Sequence, residues 1–201
     1  MKATDVIIYT DMDGTALTDW SLGPVVPERN LARIRAFVSA GGLFSVASGR
    51  QAPGILQLFP GVAFHAPLVC GNGSVIYDPA EQQVLRKTCL PTDYKCACVS
   101  YFLTHPEVWI VAADETHIWQ IVSGDPARDD QLNDWPRPRM SIEDFLSGDY
   151  VKVVYILAEG GDMEALKHEV AALPGAELVT GAQSGPRYLE MVDHTVSKGV
   201  G

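Results

Sequence analysis

The stretch DVIIYTDMDGT, residues 5–15, joins an apolar, β-branched run to two aspartates and a glycine. The run at 5–10 predicts a buried β-strand, because short apolar runs that end in turn residues are typical of parallel sheets. Asp11 and Asp13 follow this strand directly, and Gly14 allows a sharp turn of the chain. In open parallel sheets, ligands bind beyond the carboxyl ends of the strands, so this position is suited to a functional site.

A regular alternation of strands and helices continues from this stretch. LFSVA (43–47) and APLVC (66–70) predict two further buried strands. Apolar residues at helical spacing over 28–40 predict a helix between the first two strands, and a short helix is expected at 51–58. This order predicts parallel βαβ units with right-handed crossovers.

The pattern changes in the second half, where hairpin strands and helices are mixed. The predicted fold is therefore α/β, with a Rossmann-like parallel-sheet core that an α+β domain of about 100 residues interrupts, a size typical of a small domain. The boundaries that we predict are 1–85 for the core, 86–190 for the insertion and 191–201 for the return to the core. The segment 124–140, which contains Gly124, Pro126, Pro136 and Pro138, predicts a loop.

Charge and composition exclude several classes of partner. The formal net charge is −10 and the pI about 4.8. Because no run of Lys or Arg stands out, neither nucleic acid nor an anionic membrane is expected as a partner. No apolar stretch approaches the length of a membrane span, and no signal-peptide pattern precedes Asp11. The four cysteines are therefore expected to be reduced thiols of a cytoplasmic protein.

A thiolate metal site at Cys89, Cys96 and Cys98 is the alternative interpretation of these cysteines. However, Cys96 and Cys98 lie two residues apart in a predicted helix, where their side chains point in different directions. This spacing disfavours the metal site.

Asp11 and Asp13 could together carry out nucleophilic phosphoryl transfer. One carboxylate can attack phosphorus and form an acyl phosphate, while the second protonates the leaving oxygen and later accepts a proton from water. A simple turn is the alternative, since Asp and Gly are turn residues. A calcium loop does not fit, because its sixth and twelfth positions would be Ala16 and Leu22 rather than glycine and a carboxylate.

Two further segments carry candidate site residues, although each is weak alone. Ser48-Gly49-Arg50 follows the second predicted strand, where a hydroxyl could bind a phosphoryl oxygen, but a Ser-Gly pair there is usually only a loop. Lys198 could steady a transferring phosphoryl group, but a lone lysine is usually a solvated charge.

Taken together, the motifs resemble the haloacid dehalogenase superfamily. More closely, they resemble its Cof-type sugar-phosphatase branch, in which an α+β cap (type IIB) is inserted into the core. The matching segments are DMDGT (11–15), SVASGR (45–50), VCGNGSVIYD (69–78) and VSKG (196–199).

The resemblance implies a Mg²⁺-dependent phosphatase that acts on a small phosphorylated metabolite, in particular a sugar phosphate. It implies that Asp11 is the nucleophile, that Asp13 is the general acid/base and that Lys198 is the catalytic lysine. The Asp11 carboxylate and the Asp13 backbone carbonyl would hold the metal. The residues implied in substrate binding are Ser48, Gly49, Arg50 and Asn72.

One feature of the branch has no counterpart in this chain. The family's fourth motif, an acidic segment after a further strand, is not found, and Gly201 lies three residues past Lys198. The resemblance therefore implies a core that is truncated before this motif, with impaired metal binding. It also implies that the first strand lies at an exposed sheet edge. Self-association through that edge is expected.

Two rival functions remain open at this point. A phosphomutase-type transferase would use the same motifs, with a sugar hydroxyl in place of water. A non-catalytic module that binds or scaffolds a phosphorylated ligand would keep the phosphate pocket without the full metal site.

Overall fold

A computed structural model describes residues 2–17, 24–132 and 135–201. The chain forms two compact units: unit 1 comprises Met1–Lys87 and Val196–Gly201, and unit 2 comprises Thr88–Thr195. Unit 2 is thus inserted in the chain between two segments of unit 1. The assignment of these units to a catalytic core and a cap stays a prediction.

Unit 1 contains a parallel strand pair that a bridge extends to a third strand. Strands β1 (Ile7–Thr10) and β2 (Leu43–Val46) pair in parallel. An isolated parallel bridge joins Ala47, just after β2, to Val69 in the next strand. The remaining strands form an antiparallel meander in the order β3 (Leu68–Cys70), β4 (Val75–Asp78) and β5 (Gln83–Lys87). The predicted parallel arrangement of the first strands is therefore present.

Two helices accompany these strands. Helix α1 (Glu28–Ser39) begins after Pro27, and Gly41 follows its end with φ +88°, a conformation that favours glycine. Helix α2 (Ala52–Leu58) starts just after β2. Three aromatic rings with centroids 5.8 to 6.0 Å apart pack together in unit 1: Phe44, Phe59 and Phe64.

Strand β1 differs from the sequence prediction in its burial. The strand is present, but the exposed fractions of Ile7, Ile8 and Tyr9 are 47%, 41% and 44%. The prediction of a buried strand is therefore wrong. The physical reason is that, among the described residues, β1 pairs on one side only, with β2.

Unit 2 is built on a six-stranded sheet with the order β10-β11-β9-β6-β7-β8. All neighbouring strands are antiparallel except β7 and β8, which are parallel. The strands are β6 (Val108–Ala113), β7 (Ile118–Ile121), β8 (Arg139–Met140), β9 (Lys152–Leu157), β10 (Val179–Gly185) and β11 (Tyr188–Asp193). The helices are α3 (Thr92–Thr104), α4 (Pro126–Asp129), α5 (Ile142–Ser147) and α6 (Met163–Ala171).

The main core of unit 2 lies between one face of this sheet and its helices. Strand β9 is buried along its whole length, and its residues alternate between two clusters. Tyr155 packs with Tyr94 of α3, Phe145 of α5 and Leu166 of α6, whereas Ile156 packs in a smaller cluster on the other face. This alternation is the period-two pattern of a strand that is buried on both faces.

The segment 124–140 was predicted to be a loop, and that prediction is partly wrong. It contains helix α4 and the short strand β8; residues 133–134 lie outside the described residues. Asp125 caps α4 by accepting a hydrogen bond from the Ala127 backbone N–H at 3.0 Å. Pro126 suits the first turn of a helix because the N–H it lacks would have no partner there.

No helix in the described part of the chain is long and apolar enough to cross a membrane. The four cysteines carry free thiols, and Cys96 and Cys98 lie in α3 as predicted. The cytoplasmic location stays a prediction.

Lys95 is a buried cation that closes the end of α5. Lys95 is only 4% exposed. Its Nζ donates to the backbone carbonyls of Leu146 at 2.9 Å and Gly148 at 2.6 Å. We expect Lys95→Met to lower the free energy of unfolding by about 2–3 kcal/mol, because partly buried carbonyls lose their charged donor. Denaturant unfolding measures this. Lys167→Met, which removes a partly exposed lysine, is the matched control, and an equal effect of both changes would contradict the prediction.

Candidate active site

The candidate residues of unit 1 come together at the carboxyl ends of its first three strands. Asp11 follows β1, Ser48 follows β2 and Asn72 follows β3. The Ala47 backbone N–H donates to the Thr10 carbonyl at 2.9 Å, which fixes the end of β2 beside the end of β1. Ligands bind at this edge in open parallel sheets.

Asp11 forms an ion pair with Lys198, its partner from the far end of the chain. Lys198 Nζ donates to Asp11 Oδ1 at 2.8 Å, and the Met12 backbone N–H donates to the same oxygen at 2.8 Å. Within the described part of the chain, Oδ2 of Asp11 has no hydrogen-bond donor. Since the side chains of Asp11 and Lys198 are 41% and 40% exposed, this oxygen is accessible to a substrate or a cation.

Asp13 is held by Arg50 through two hydrogen bonds. Arg50 Nη2 donates to Oδ1 at 2.7 Å and Nε donates to Oδ2 at 3.2 Å. The side chain of Asp13 remains 40% exposed. A guanidinium that binds both oxygens of a carboxylate fixes its orientation as well as its charge.

The turn after β1 explains why these two aspartates are presented to solvent. Met12, between them, is fully buried, and its carbonyl accepts from the Thr15 and Leu17 backbone N–H groups at 3.1 and 2.8 Å. Gly14 has φ +78° and allows the chain to bend back there. A buried anchor thus lies between Asp11 and Asp13.

Ser48 is placed at the predicted position but is fully buried. Its Oγ accepts from the Arg50 backbone N–H at 3.2 Å, and its carbonyl accepts from the Asn72 N–H at 3.0 Å. The hydroxyl proton of Ser48 remains available for an acceptor. The loops after β2 and β3 are therefore bonded to each other.

Gly49 and Asn72 are in close contact between these loops. A Cβ built on Gly49 would lie 2.8 Å from Asn72 Oδ1, so a larger residue at this position would displace the Asn72 side chain. Asn72 itself has φ +61°, in the left-handed region that asparagine tolerates better than most residues. Substrate binding by Gly49 and Asn72 stays a prediction.

Cys70 is the nearest alternative nucleophile in sequence to this loop. Burial raises the pKa of its thiol to about 12. The thiol therefore stays protonated at neutral pH and does not suit nucleophilic attack.

Gly73 is a site residue that the sequence analysis did not single out. It has φ +102°, and a Cβ on it would overlap the Ser197 carbonyl, next to Lys198. The sequence pattern that points to this position is Gly-Asn-Gly at 71–73. This pattern indicates a backbone with positive φ, but it does not indicate what packs against it. Gly73 thus allows the segment that carries Lys198 to pack closely.

We expect Gly73→Ala to lower the free energy of unfolding by about 2 kcal/mol or more. Alanine is strained at this positive φ, and its Cβ would also overlap the Ser197 backbone, so both effects destabilise the folded state. Gly124→Ala is the matched control, since Gly124 has φ +91° but open space around its Cβ position. Urea unfolding of the two variants measures the difference. Equal losses of stability would contradict the close packing of Gly73 on Ser197.

A cavity of about 750 Å³ lies elsewhere, in unit 2. It is formed by the end of α6 with β10 and β11, and its lining includes Val170, Leu189 and Met191. The carboxylate pair that could do chemistry lies in unit 1 and not in this cavity. The cavity is therefore not the candidate active site.

The fold and the site define a class of protein: an α/β protein with a parallel-sheet core and a carboxylate pair at the strand ends. The family described as haloacid dehalogenase-like hydrolase matches residues 8–201. The chain belongs to this family. The family and the fold class predicted from the motifs are thereby confirmed.

Similar proteins agree with this assignment. The chain is 31% identical over 121 residues to the 5-amino-6-(5-phospho-D-ribitylamino)uracil phosphatase YbjI of Escherichia coli (strain K12), a match that covers 60% of this chain and 43% of that protein. The chain thus spans less than half the length of this curated relative.

Solved structures share the fold. The HAD subclass IIB sugar phosphatase BT4131 has a TM-score of 0.74 at 15% identity, and the match covers 98% of this chain and 73% of that one. TM0651 from Thermotoga maritima has a TM-score of 0.71 at 22% identity, covering 96% and 71%.

Proposed function

We propose that this protein is a phosphatase that hydrolyses small phosphomonoesters through an aspartyl-phosphate on Asp11. The observation that carries the proposal is the Asp11 carboxylate at the end of β1. Its Oδ1 is held by Lys198, while Oδ2 has no donor among the described residues and the side chain is 41% exposed. The hydrogen bonds at one oxygen hold the carboxylate in place, and the other oxygen is left accessible. Such a carboxylate is suited to in-line attack on phosphorus.

In the first step, an oxygen of Asp11 attacks phosphorus and forms a P–O bond. The bond from phosphorus to the ester oxygen breaks, and protonated Asp13 gives its proton to that leaving oxygen. The products of this step are an alcohol and the aspartyl-phosphate. Lys198 neutralises negative charge between the carboxylate and the phosphoryl group.

In the second step, water attacks the phosphorus of the aspartyl-phosphate. Asp13 now accepts a proton from this water, and the bond between phosphorus and Asp11 breaks. Inorganic phosphate leaves, and both aspartates return to their starting states. Ser48, Gly49 and Asn72 follow the neighbouring strands β2 and β3 and are proposed to bind the phosphoryl group.

The donor set of the site fits Mg²⁺ as the cofactor. Mg²⁺ is held by oxygen ligands, often one or two carboxylates with several waters. Asp11 offers a carboxylate, and Asp13 is proposed to offer its backbone carbonyl while its carboxylate oxygens accept from Arg50. In the described ranges, no cluster of three or more His, Cys, Asp or Glu side chains could hold a metal on its own. When bound, Mg²⁺ would neutralise charge on the phosphoryl oxygens.

The proposed substrate is a phosphorylated sugar or sugar alcohol. The relatives support this class, because one is named as a phosphatase of a phospho-D-ribitylamino uracil and another as a sugar phosphatase.

The proposal is tested by phosphate release from a nitroaryl phosphate and from a panel of sugar and polyol phosphates, with Mg²⁺ and after chelation. We expect release with Mg²⁺ and none after chelation. Calorimetric titration with Mg²⁺ is the second readout, and Asp11→Asn should weaken the binding. If no phosphate ester is hydrolysed with Mg²⁺ present, the proposed function fails.

We also propose that two copies associate through β1. Its outer edge is unpaired among the described residues, and its exposed side chains at positions 7–9 are apolar and uncharged. We expect light scattering at high protein concentration to show a dimer that Ile8→Lys returns to a monomer, because a charge on an edge strand disfavours pairing. A monomer for the unchanged protein at all concentrations would contradict this proposal.

A further inference from the structure

We propose that Arg50 is a positioning residue for Asp13 and not a ligand of the phosphoryl group. This inference rests on the proposed phosphatase function. It differs from the substrate-binding role that the family resemblance implies for Arg50. The observation behind it is the pair of hydrogen bonds, 2.7 and 3.2 Å, from the Arg50 guanidinium to the two carboxylate oxygens of Asp13.

The backbone of Arg50 is itself fixed on both sides. Its N–H donates to Ser48 Oγ at 3.2 Å, and its carbonyl accepts from the Gly71 N–H at 3.1 Å. The guanidinium thus extends from a backbone that two hydrogen bonds restrain. Its two hydrogen bonds therefore restrict the orientation of the Asp13 carboxyl group. Without them, this side chain would lie unrestrained on an exposed turn, since it is 40% exposed.

The geometry suits a carboxyl group that must deliver a proton in one direction. Each carboxylate oxygen has two lone pairs, and the guanidinium takes one on each oxygen. One of the remaining lone pairs faces the leaving oxygen, and the charge-assisted contact with Arg50 strengthens as Asp13 gives its proton to that oxygen. The two-point contact fixes the plane of the carboxyl group, which a lysine cannot do because its ammonium is a single point of charge.

Substrates with different leaving groups distinguish the two possible roles of Arg50, positioning Asp13 and binding the phosphoryl group. We expect Arg50→Lys to lower kcat for an alkyl phosphate by about 10²-fold, since the poor leaving group needs a well-placed general acid. KM should change little, and a nitroaryl phosphate should still give its initial burst of nitrophenol, because this leaving group needs no proton. Asp13→Asn should show the same selectivity, and the double variant should lose little more than Asp13→Asn alone.

Arg35→Lys is the matched control, because Arg35 also forms a 2.7 Å ion pair in unit 1, with Glu28. It should leave the preference between leaving groups unchanged. If Arg50→Lys raises KM equally for alkyl and nitroaryl phosphates, or if its effect adds fully to that of Asp13→Asn, the positioning role is overturned.

A second measurement does not depend on turnover. In ¹⁵N-labelled protein, the Arg50 Nε–H resonance should shift in Asp13→Asn but stay in place when inorganic phosphate is added with Mg²⁺. A large shift of this resonance on adding phosphate would show that Arg50 binds the phosphoryl group and would overturn the inference alone. Absence of phosphatase activity in the unchanged protein would instead count against the proposed function.

Discussion

Asp11→Asn is expected to abolish phosphate release, with a fall of about 10⁴-fold or more, as for other lost nucleophiles. The amide has the shape of the carboxylate but cannot form the acyl phosphate. The change should barely affect folding, because the Asp11–Lys198 pair is about 40% exposed on both sides. Exposed ion pairs contribute only about 0–1 kcal/mol. Steady-state kinetics and thermal unfolding of the same samples measure both expectations.

Asp5→Asn is the matched control for this variant. Asp5 also lies in unit 1 and its carboxylate accepts from the Lys2 backbone N–H at 3.1 Å, at an exposed position before β1. Its removal should leave the rate of phosphate release unchanged. Activity of Asp11→Asn within tenfold of the unchanged protein would mean that another group is the nucleophile.

Lys198→Met is expected to have the second largest effect, a fall in kcat of about 10²–10³-fold, which is typical when one preorganised donor to a developing charge is removed. Lys198 Nζ lies 2.8 Å from Asp11 Oδ1. As the phosphoryl group arrives, its charge adds to that of Asp11, so the ammonium stabilises the transition state more than the free enzyme. We expect kcat to fall more than KM rises, in assays with the nitroaryl phosphate.

Lys167→Met serves as the control, because Lys167 forms an ion pair of 2.6 Å with Glu164 at similar exposure, 35% for the lysine side chain. It lies in unit 2 and should not alter kcat. Equal kinetic effects of the two variants would indicate a general loss of charge and would contradict a specific role of Lys198.

Much of the site was predictable because its signals are local in sequence. An apolar run followed by two carboxylates and a glycine predicts Asp11 and Asp13 as site residues, and the structure places them at the end of β1. Ser48 follows β2 in the same way. Such predictions succeed because a strand, its end and the following turn depend mainly on neighbouring residues.

Burial was predicted less well, and β1 shows why. The run at 5–10 has the composition of a doubly buried strand, yet Ile8 is 41% exposed. An apolar composition indicates that a strand can be buried. Its actual exposure depends on which other strands and helices cover it. The segment 124–140 failed for a similar reason, because a helix as short as α4 has no periodicity to detect.

The family, the parallel βαβ order and the two aspartates at 11 and 13 are readable from the sequence, because they depend on residue types at short spacing. The partners of the two aspartates follow from the fold alone: Lys198 lies 187 residues from Asp11 and Arg50 lies 37 residues from Asp13. The fold also revealed the packing of Gly73 on Ser197. Contacts of this kind depend on where distant backbone segments meet and on the direction of each side chain, and no local pattern in the sequence encodes either.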